Sequence, residues 1–296
     1  MTPTDYEYLR KLLKERSGLM LSADKQYLLE SRLLPVARKA GLNSLPELVS
    51  KLRGAGAEAL IVDVVEAMTT NESFFFRDKL PFEHFQNFIM PALLATRAKQ
   101  KRIRIWCAAA STGQEPYSLA MVLKDMGKQI DGFRIEIIGT DISTEVLEKA
   151  KVGLYSQFEV QRGLPIQMLV KNFTQVGEMW QIASDVRAMV QFRPLNLLRD
   201  FSSLGTMDIV YCRNVLIYFE QATKIDVIDR IAKLTAPDGF LSLGAAETVV
   251  GLTESFKAVT GRRGIYAPNT GAAAASPGAS VLKFAQAPIA AGGGMR

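Results

Sequence analysis

The sequence predicts an α/β protein: a doubly wound parallel sheet preceded by a small all-helical domain. Two observations predict it. From about residue 80 onward, short apolar runs alternate with stretches of helical period, the pattern of a parallel sheet with crossover helices. Residues 1–67 carry helical spacing instead. At 296 residues, with 48% hydrophobic and 22% charged side chains, the chain is long enough for one large domain or two ordinary ones.

In the helical part, Tyr8, Leu9, Leu12 and Leu13 recur at helical spacing. Asp24 is placed to cap a second helix from about Lys25 towards Lys39, with Gly41 just past its end. Leu45–Leu52 and Ala57–Met68 supply two more amphipathic stretches. Residues 1–53 hold ten Lys/Arg against six Asp/Glu. Lys25, Arg32 and Lys39 are seven apart and fall near one helix face. Taken alone, they read as a solvated face rather than a binding surface.

Further on, Pro81–Leu94 reads as a helix, with His84 as a structural residue between Phe82 and Phe85. Arg104–Ala108 is a buried strand, and Pro116 stands at the start of a helix that runs through Tyr117–Met126. Ile135–Gly139 is a second strand, followed by a helix over Thr144–Lys151. Val190–Phe192 and Met207–Cys212 are the third and fourth strands. Gln221–Leu234 is a long helix, ended by Pro237-Asp238-Gly239, and Phe240–Gly244 is a fifth strand. Residues 152–189 hold more chain than a crossover needs, and Gly177, Trp180, Ile182 and Val186 suggest short strands in an inserted subdomain. The last 26 residues contain nine Ala and five Gly, too little apolar side chain to offset the entropy of ordering. Residues 271–296 therefore read as a disordered tail.

Composition narrows the function. Two cysteines make no disulfide scaffold, and a single histidine removes most zinc sites and argues against a Ser-His-Asp triad. No run of eighteen apolar residues exists, and the first ten residues lack the apolar core of a signal peptide. The balance of 36 basic and 30 acidic residues permits an acidic partner without demanding nucleic acid. Arg97, Lys99, Lys101, Arg102 and Arg104 form a basic run without interleaved aromatics, so it reads as a solvated approach to the first strand.

The turns after the strands carry the chemistry. The first strand runs into Ala109-Ala110-Ser111-Thr112-Gly113-Gln114-Glu115, small residues that suit either close approach to a ligand or packing. The turn is not the G-x-G-x-x-G dinucleotide fingerprint. Asp141 ends the second strand, 28 residues after Gly113. It is placed either to accept hydrogen bonds from both ribose hydroxyls of a nucleoside or to cap the next helix. With no phosphate-cradling glycines nearby, a nucleoside without a pyrophosphate, such as S-adenosylmethionine (SAM), fits better than NAD. Asn196 and Leu197 at the third strand tip suit an adenine edge and face, or an ordinary turn. Arg213-Asn214 at the carboxyl edge of the fourth strand is costly to place unless paired or solvated in a cleft, and such a crevice is where these sheets bind ligands. Thr69-Thr70-Asn71-Glu72-Ser73-Phe74-Phe75-Phe76-Arg77 follows neither helical nor strand period; a linker docked on a domain explains its Phe residues more readily than Arg77.

In this order, these strings resemble the chemotaxis receptor glutamate methyltransferases, the CheR family. The marks are Asn71-x-Ser73-x-Phe75-Phe76-Arg77, Ala108 through Ser118, Thr140-Asp141-Ile142-Ser143, Asn196-Leu197, and Cys212-Arg213-Asn214-Val215-x-Ile217-Tyr218-Phe219. The resemblance spans about Tyr6 to Tyr266. It implies a helical receptor-recognition domain (1–67), a SAM-dependent methyltransferase domain (68–270) of Rossmann-like fold, and a small antiparallel β insertion (about 152–189). It places Asn71, Ser73, Arg77, Glu115, Asp141, Asn196, Leu197, Arg213 and Asn214 around SAM, with Arg77 and Tyr218 as catalytic residues. Lys25, Arg32 and Lys39 become candidates for binding the Glu-rich receptor helices. The implied product is a glutamate 5-O-methyl ester plus S-adenosylhomocysteine, made by a cytoplasmic monomer that needs no metal, no nucleic acid and no membrane insertion. The chain departs from the family pattern in places. Ser73 stands for a usual Thr, and Gln114 for a common Glu, which leaves Glu115 to meet the SAM ammonium. Gly244-Ala245-Ala246-Glu247 stands for Gly-His-Ser-Glu, so no role passes to Ala245. The turn around Gly177 looks shorter than in members whose insertion binds a receptor's C-terminal peptide, so independence of such a tether is expected. The readings left beside this one are a SAM-dependent transferase with another substrate and a non-catalytic SAM sensor.

Overall fold

The structure, a computed structural model, describes residues 1–270. The expected disordered tail, 271–296, lies outside the described residues. Four helices open the chain: α1 (Pro3–Ser17), α2 (Gln26–Lys39), α3 (Leu45–Leu52) and α4 (Glu58–Met68). They share one core, built on Leu9, Leu13, Leu29, Leu33, Leu48 and Val64. A Thr2–Asp5 capping box starts α1, and Gly18 stops it at φ +77°. Asp24 does not cap α2 as expected. It lies in a 3₁₀ turn, Ala23–Lys25, its carboxyl engaged by Ser22, and α2 starts one turn later with no side-chain cap.

After α4 the linker enters the second domain. Phe75 and Phe76 are buried in that domain's core, where Phe75 meets Tyr155 and Phe173 edge-on at centroid distances of 5.0 and 5.5 Å. Burial of these rings explains the aperiodic Phe run. Next come α5 (Leu80–His84), a π turn (Phe85–Ile89) and α6 (Met90–Thr96). His84 is buried there, and that burial holds its imidazole below the usual value.

The sheet begins with β1 (Arg102–Ala108), followed by α7 (Gln114–Met126), β2 (Arg134–Asp141) and α8 (Thr144–Val152). The insertion follows as β3 (Leu154–Ser156), α9 (Gln157–Gln161), α10 (Ile166–Asn172), β4 (Phe173–Val176) and β5 (Met179–Ile182). Its strands form a three-stranded antiparallel sheet in the order β3-β5-β4. Then come α11 (Ser184–Ala188), β6 (Val190–Pro194), β7 (Met207–Cys212), α12 (Gln221–Leu234), β8 (Thr235–Leu243), β9 (Phe256–Ala258) and β10 (Ile265–Pro268).

The main sheet has seven strands in the order β6-β2-β1-β7-β8-β10-β9. The first five in that order are parallel, while β10 and β9 add an antiparallel edge that the apolar pattern did not reveal. Pro237-Asp238-Gly239, expected to separate helix from strand, lies inside β8 as an irregularity in its pairing with β7. A Cβ on Gly239 would come within 2.7 Å of the Asp208 carbonyl, so the close approach requires glycine. The chain moves outward from β1 to β2 and β6, then crosses back to β7 and β8. The order reverses between β1 and β7, and the crevice beyond their carboxyl ends is where such sheets bind ligands.

The basic run before β1 is less solvated than expected. Arg97 pairs with Asp208 and Asp238, and Arg102 and Arg104 pair with Glu136. Lys101 lies over the Phe133 ring. These charges brace the amino ends of the strands, away from the crevice.

Candidate active site

A cleft opens at the carboxyl ends of β1, β2, β6 and β7. The helical domain closes one side with Ser17 and Leu19, and the 69–77 linker forms another wall. Every site residue expected from the sequence around SAM, and Tyr218 with them, lines this one cleft.

The turn after β1 runs through left-handed backbone at Ala109 (φ +56°), Ser111 (φ +51°) and Gly113 (φ +92°). Gly113 serves packing, since a Cβ there would meet Ala150 at 3.0 Å and Phe192 at 3.1 Å. Ser111 serves the cleft. Its N–H donates to Asp141 Oδ2 at 2.9 Å, and its hydroxyl donates to the Asn71 carbonyl at 2.7 Å. Sequence reasoning missed Ser111, although it lay inside the quoted motif.

Asp141 is 6% exposed at the tip of β2. Its Oδ1 accepts from Ser143 N–H at 3.0 Å. Each carboxylate oxygen thus holds one backbone donor and keeps acceptor capacity for the cleft. Burial pushes this carboxyl up, and the Ser143 and Ser111 N–H groups pull against it.

Arg213 is the charged centre of the floor. Its side chain is 1% exposed and lies 2.7 Å from Glu115 Oε2 and 2.7 Å from Asp78 Oδ2. It also donates to the Arg77 carbonyl at 2.9 Å. Burial works against the charge on Arg213, but the two carboxylates outweigh it and raise its pKa. Burial pushes the Glu115 carboxyl up, and Arg213 opposes that shift. Arg213 therefore fixes the linker end and Glu115 together, while its Nε has no partner among the described residues.

Asn196 is more committed than the sequence suggested. Its Oδ1 accepts from Leu198 N–H at 2.9 Å, and its Nδ2 donates to the Arg16 carbonyl at 2.7 Å. One amide proton remains for the cleft. Leu197, 7% exposed, offers an apolar wall beside it.

The two expected catalytic residues keep free donors. Arg77 donates through Nη1 to the Glu72 carbonyl at 3.0 Å and lies 5.5 Å from the Phe74 ring centroid. Arg162 covers the same ring at 4.4 Å and pairs with Glu72 at 2.5 Å, so the insertion braces this wall. Tyr218 accepts from Met20 N–H through its carbonyl at 2.9 Å, and no described residue hydrogen-bonds its hydroxyl.

A second residue missed by sequence reasoning is Glu247. Its carboxylate accepts from the backbone N–H groups of Gly244 (2.8 Å), Asn214 (2.7 Å), Val215 (3.0 Å) and Ile217 (3.3 Å). The signal was present in Gly244-Ala245-Ala246-Glu247, but a partner some thirty residues upstream is not readable from spacing.

The three basic candidates, Lys25 just before α2 and Arg32 and Lys39 on it, lie outside the cleft and differ from one another. Lys25 and Lys39 are exposed. Arg32 is half-buried, and its guanidinium donates to the Met68 and Thr69 carbonyls at 2.9 and 2.8 Å, closing the end of α4.

The donor set suits SAM. Asp141 supplies acceptors for a ribose diol, Glu115 a carboxylate for an ammonium, Asn71 and Ser73 neutral polar groups, and Leu197 and Ile142 apolar walls. No group of His, Cys, Asp and Glu suited to a metal ion occurs among the described residues.

Residues 71–265 match the family described as CheR methyltransferase, SAM binding domain, and residues 4–69 match CheR methyltransferase, all-alpha domain. The chemotaxis protein methyltransferase Cher2 of Pseudomonas putida is 39% identical over 265 residues, which cover 88% of this chain and 96% of that protein. Chemotaxis protein methyltransferase 1 of Pseudomonas aeruginosa is 40% identical over 267 residues, covering 88% and 96%. Chemotaxis protein methyltransferase 1 of Vibrio cholerae is 37% identical over 270 residues, covering 90% and 97%.

Proposed function

This chain belongs to the CheR methyltransferase family and is a SAM-dependent protein-glutamate methyltransferase, and we propose that its substrates are glutamate side chains on the cytoplasmic helices of methyl-accepting chemoreceptors, esterified for chemosensory adaptation. One observation carries the mechanism: Arg77 and Tyr218, both with free donors, face the same cleft as Asp141.

When bound, SAM supplies a methyl group on a positively charged sulfur, so transfer to a carboxylate neutralises both charges and leaves S-adenosylhomocysteine. Asp141 holds the ribose hydroxyls, Asn196 and Leu197 the adenine, and Glu115, Asn71 and Ser73 the amino-acid end. Arg213 keeps Glu115 in place, and Asn214 borders the cleft next to it. The attacking glutamate, with a reference pKa of about 4.3, is already ionised at neutral pH, so no general base is needed. Arg77 orients that carboxylate through its free N–H groups, and the Tyr218 hydroxyl holds it. Leu19, Phe74, Ile142 and Leu197 give the cleft apolar walls, and an apolar surround favours a reaction that destroys charge. Alignment in such a site supplies up to about 7–11 kcal/mol in well-oriented cases.

The receptor approaches over the helical domain. Lys25 and Lys39 attract its acidic helices at long range, while Arg32 holds the linker that carries Asn71. The turn of the insertion's hairpin is short: Val176 pairs with Met179 across Gly177-Glu178. It supports the reading that no C-terminal receptor peptide is needed as a tether; micromolar binding of a receptor-tail pentapeptide in calorimetry would refute it. The protein works as a cytoplasmic monomer. No described helix is long and apolar enough to cross a membrane.

The test is mass spectrometry of chemoreceptors incubated with the enzyme and SAM. Glutamate methyl esters are expected on receptor helices, while modification of other residue types or of nucleic acid overturns the reading.

A further inference from the structure

We propose that Glu247 is a positioning residue for methyl transfer: its carboxylate holds the Asn214–Tyr218 turn in shape and thereby aims the Tyr218 hydroxyl into the cleft. This rests on the reading of Tyr218 as the group that holds the substrate carboxylate.

Glu247 is half-buried and does not itself border the cleft. It follows β8, one strand over from the turn it serves. Oε2 accepts from Gly244 and Asn214, and Oε1 accepts from Val215 and Ile217. Four donors match the full acceptor capacity of a carboxylate. The turn depends on this support. Asn214 sits in left-handed backbone at φ +58°, a conformation that a non-glycine residue keeps only when its surroundings hold it. The 3₁₀ turn Leu216–Tyr218 that follows has no side-chain cap. Without Glu247, the turn N–H groups of Asn214, Val215 and Ile217 lose their acceptor beside the reacting groups.

Gly244 is part of the same device. A Cβ there would lie 2.7 Å from Glu247 Oε2, 2.8 Å from Asn214 Nδ2 and 3.0 Å from Asn214 N. Only glycine lets the carboxylate reach the turn. The Gly-x-x-Glu spacing therefore matters through its first and last residues, and the two alanines between them, Ala245 and Ala246, are exposed.

The test is a double-mutant cycle on kcat with chemoreceptor-containing membranes as methyl acceptor. Glu247→Gln keeps the size of the side chain but turns an amide NH₂ towards backbone donors. It is expected to lower kcat about tenfold or more, and Glu247→Gln/Tyr218→Phe to be no slower than the slower single variant, because both act through one hydroxyl. Gly244→Ala, which retains the carboxylate, is expected to behave like Glu247→Gln and takes its place in the cycle if Glu247→Gln does not fold. Losses that multiply in the double variant overturn the proposal, as does activity within about twofold of the parent in both single variants of the device. If Tyr218→Phe alone is silent, the reading of Tyr218 fails. The device is then judged on Glu247→Gln and Gly244→Ala: a shared loss sustains positioning of the turn through Asn214, and full activity overturns it.

Discussion

Replacing Arg213 by Met removes the one buried cation of the cleft floor and leaves its partners in place. Asp78 has a side chain 37% exposed and can turn to water, but Glu115, at 12%, cannot. Stripping one partner from a buried ion pair costs about 3–5 kcal/mol, because the other charge stays buried and uncompensated. The hydrogen bond to the Arg77 carbonyl, lost at the same time, belongs within that range. The penalty also depends on pH. Burial already pushes the Glu115 carboxyl up in the parent protein, and without Arg213 nothing comparable opposes it. A carboxyl whose pKa is higher in the folded state binds more protons when folded, so the variant regains stability as pH falls below that raised pKa and loses it as pH rises through it. Urea unfolding read by fluorescence, with Trp106 wholly buried in this domain, measures the effect. The penalty is expected to be larger at about pH 8 than at about pH 5.5, and Glu115→Gln/Arg213→Met to recover at least half of it, since replacing both members of such a pair is often nearly neutral. A loss below about 1 kcal/mol, a pH-independent loss, or a double variant no better than the single refutes the reasoning.

Asp141→Asn keeps one side-chain oxygen and removes one charge-assisted hydrogen bond worth about 1.5–3 kcal/mol, so the Kd for SAM is expected to rise about 10- to 100-fold in calorimetry. A change under about threefold contradicts the ribose assignment. The basic candidates Lys25, Arg32 and Lys39 separate into two roles. Lys25→Ala and Lys39→Ala are expected to flatten the salt dependence of receptor methylation and leave stability unchanged. Arg32→Ala is expected to lower stability by about 1–2 kcal/mol, because the Met68 and Thr69 carbonyls lose their donor; the reverse pattern in melting curves and rates counts against this division.

Much of the central sheet was legible because β1, the second half of β2, and β7 are buried and read as apolar runs. The cleft was legible from its strings taken together: a small turn, an Asp, an Asn and an Arg-Asn pair each have a structural use of their own, but at successive strand tips they line one crevice. What escaped depends on partners distant in sequence. β9 and β10 are three and four residues long, and only their pairing to β8 makes them strands. Asn196 gives one amide proton to Arg16, 180 residues away on the other domain. Arg32 looked like one of three equivalent charges until α4 ended against it. Glu247 stands in a noted Gly-x-x-Glu string, but its partners, the N–H groups of the turn after the neighbouring strand, lie some thirty residues upstream.

The central claim is carboxyl methylation of a chemoreceptor in this cleft. Its most direct test is transfer of radiolabelled methyl from SAM to chemoreceptor-containing membranes, with alkaline release of methanol as the readout. Base-labile counts on the receptor are predicted, abolished by Arg77→Ala while SAM binding persists in calorimetry. Alkali-stable counts, or no counts from a protein that binds SAM tightly, contradict the account.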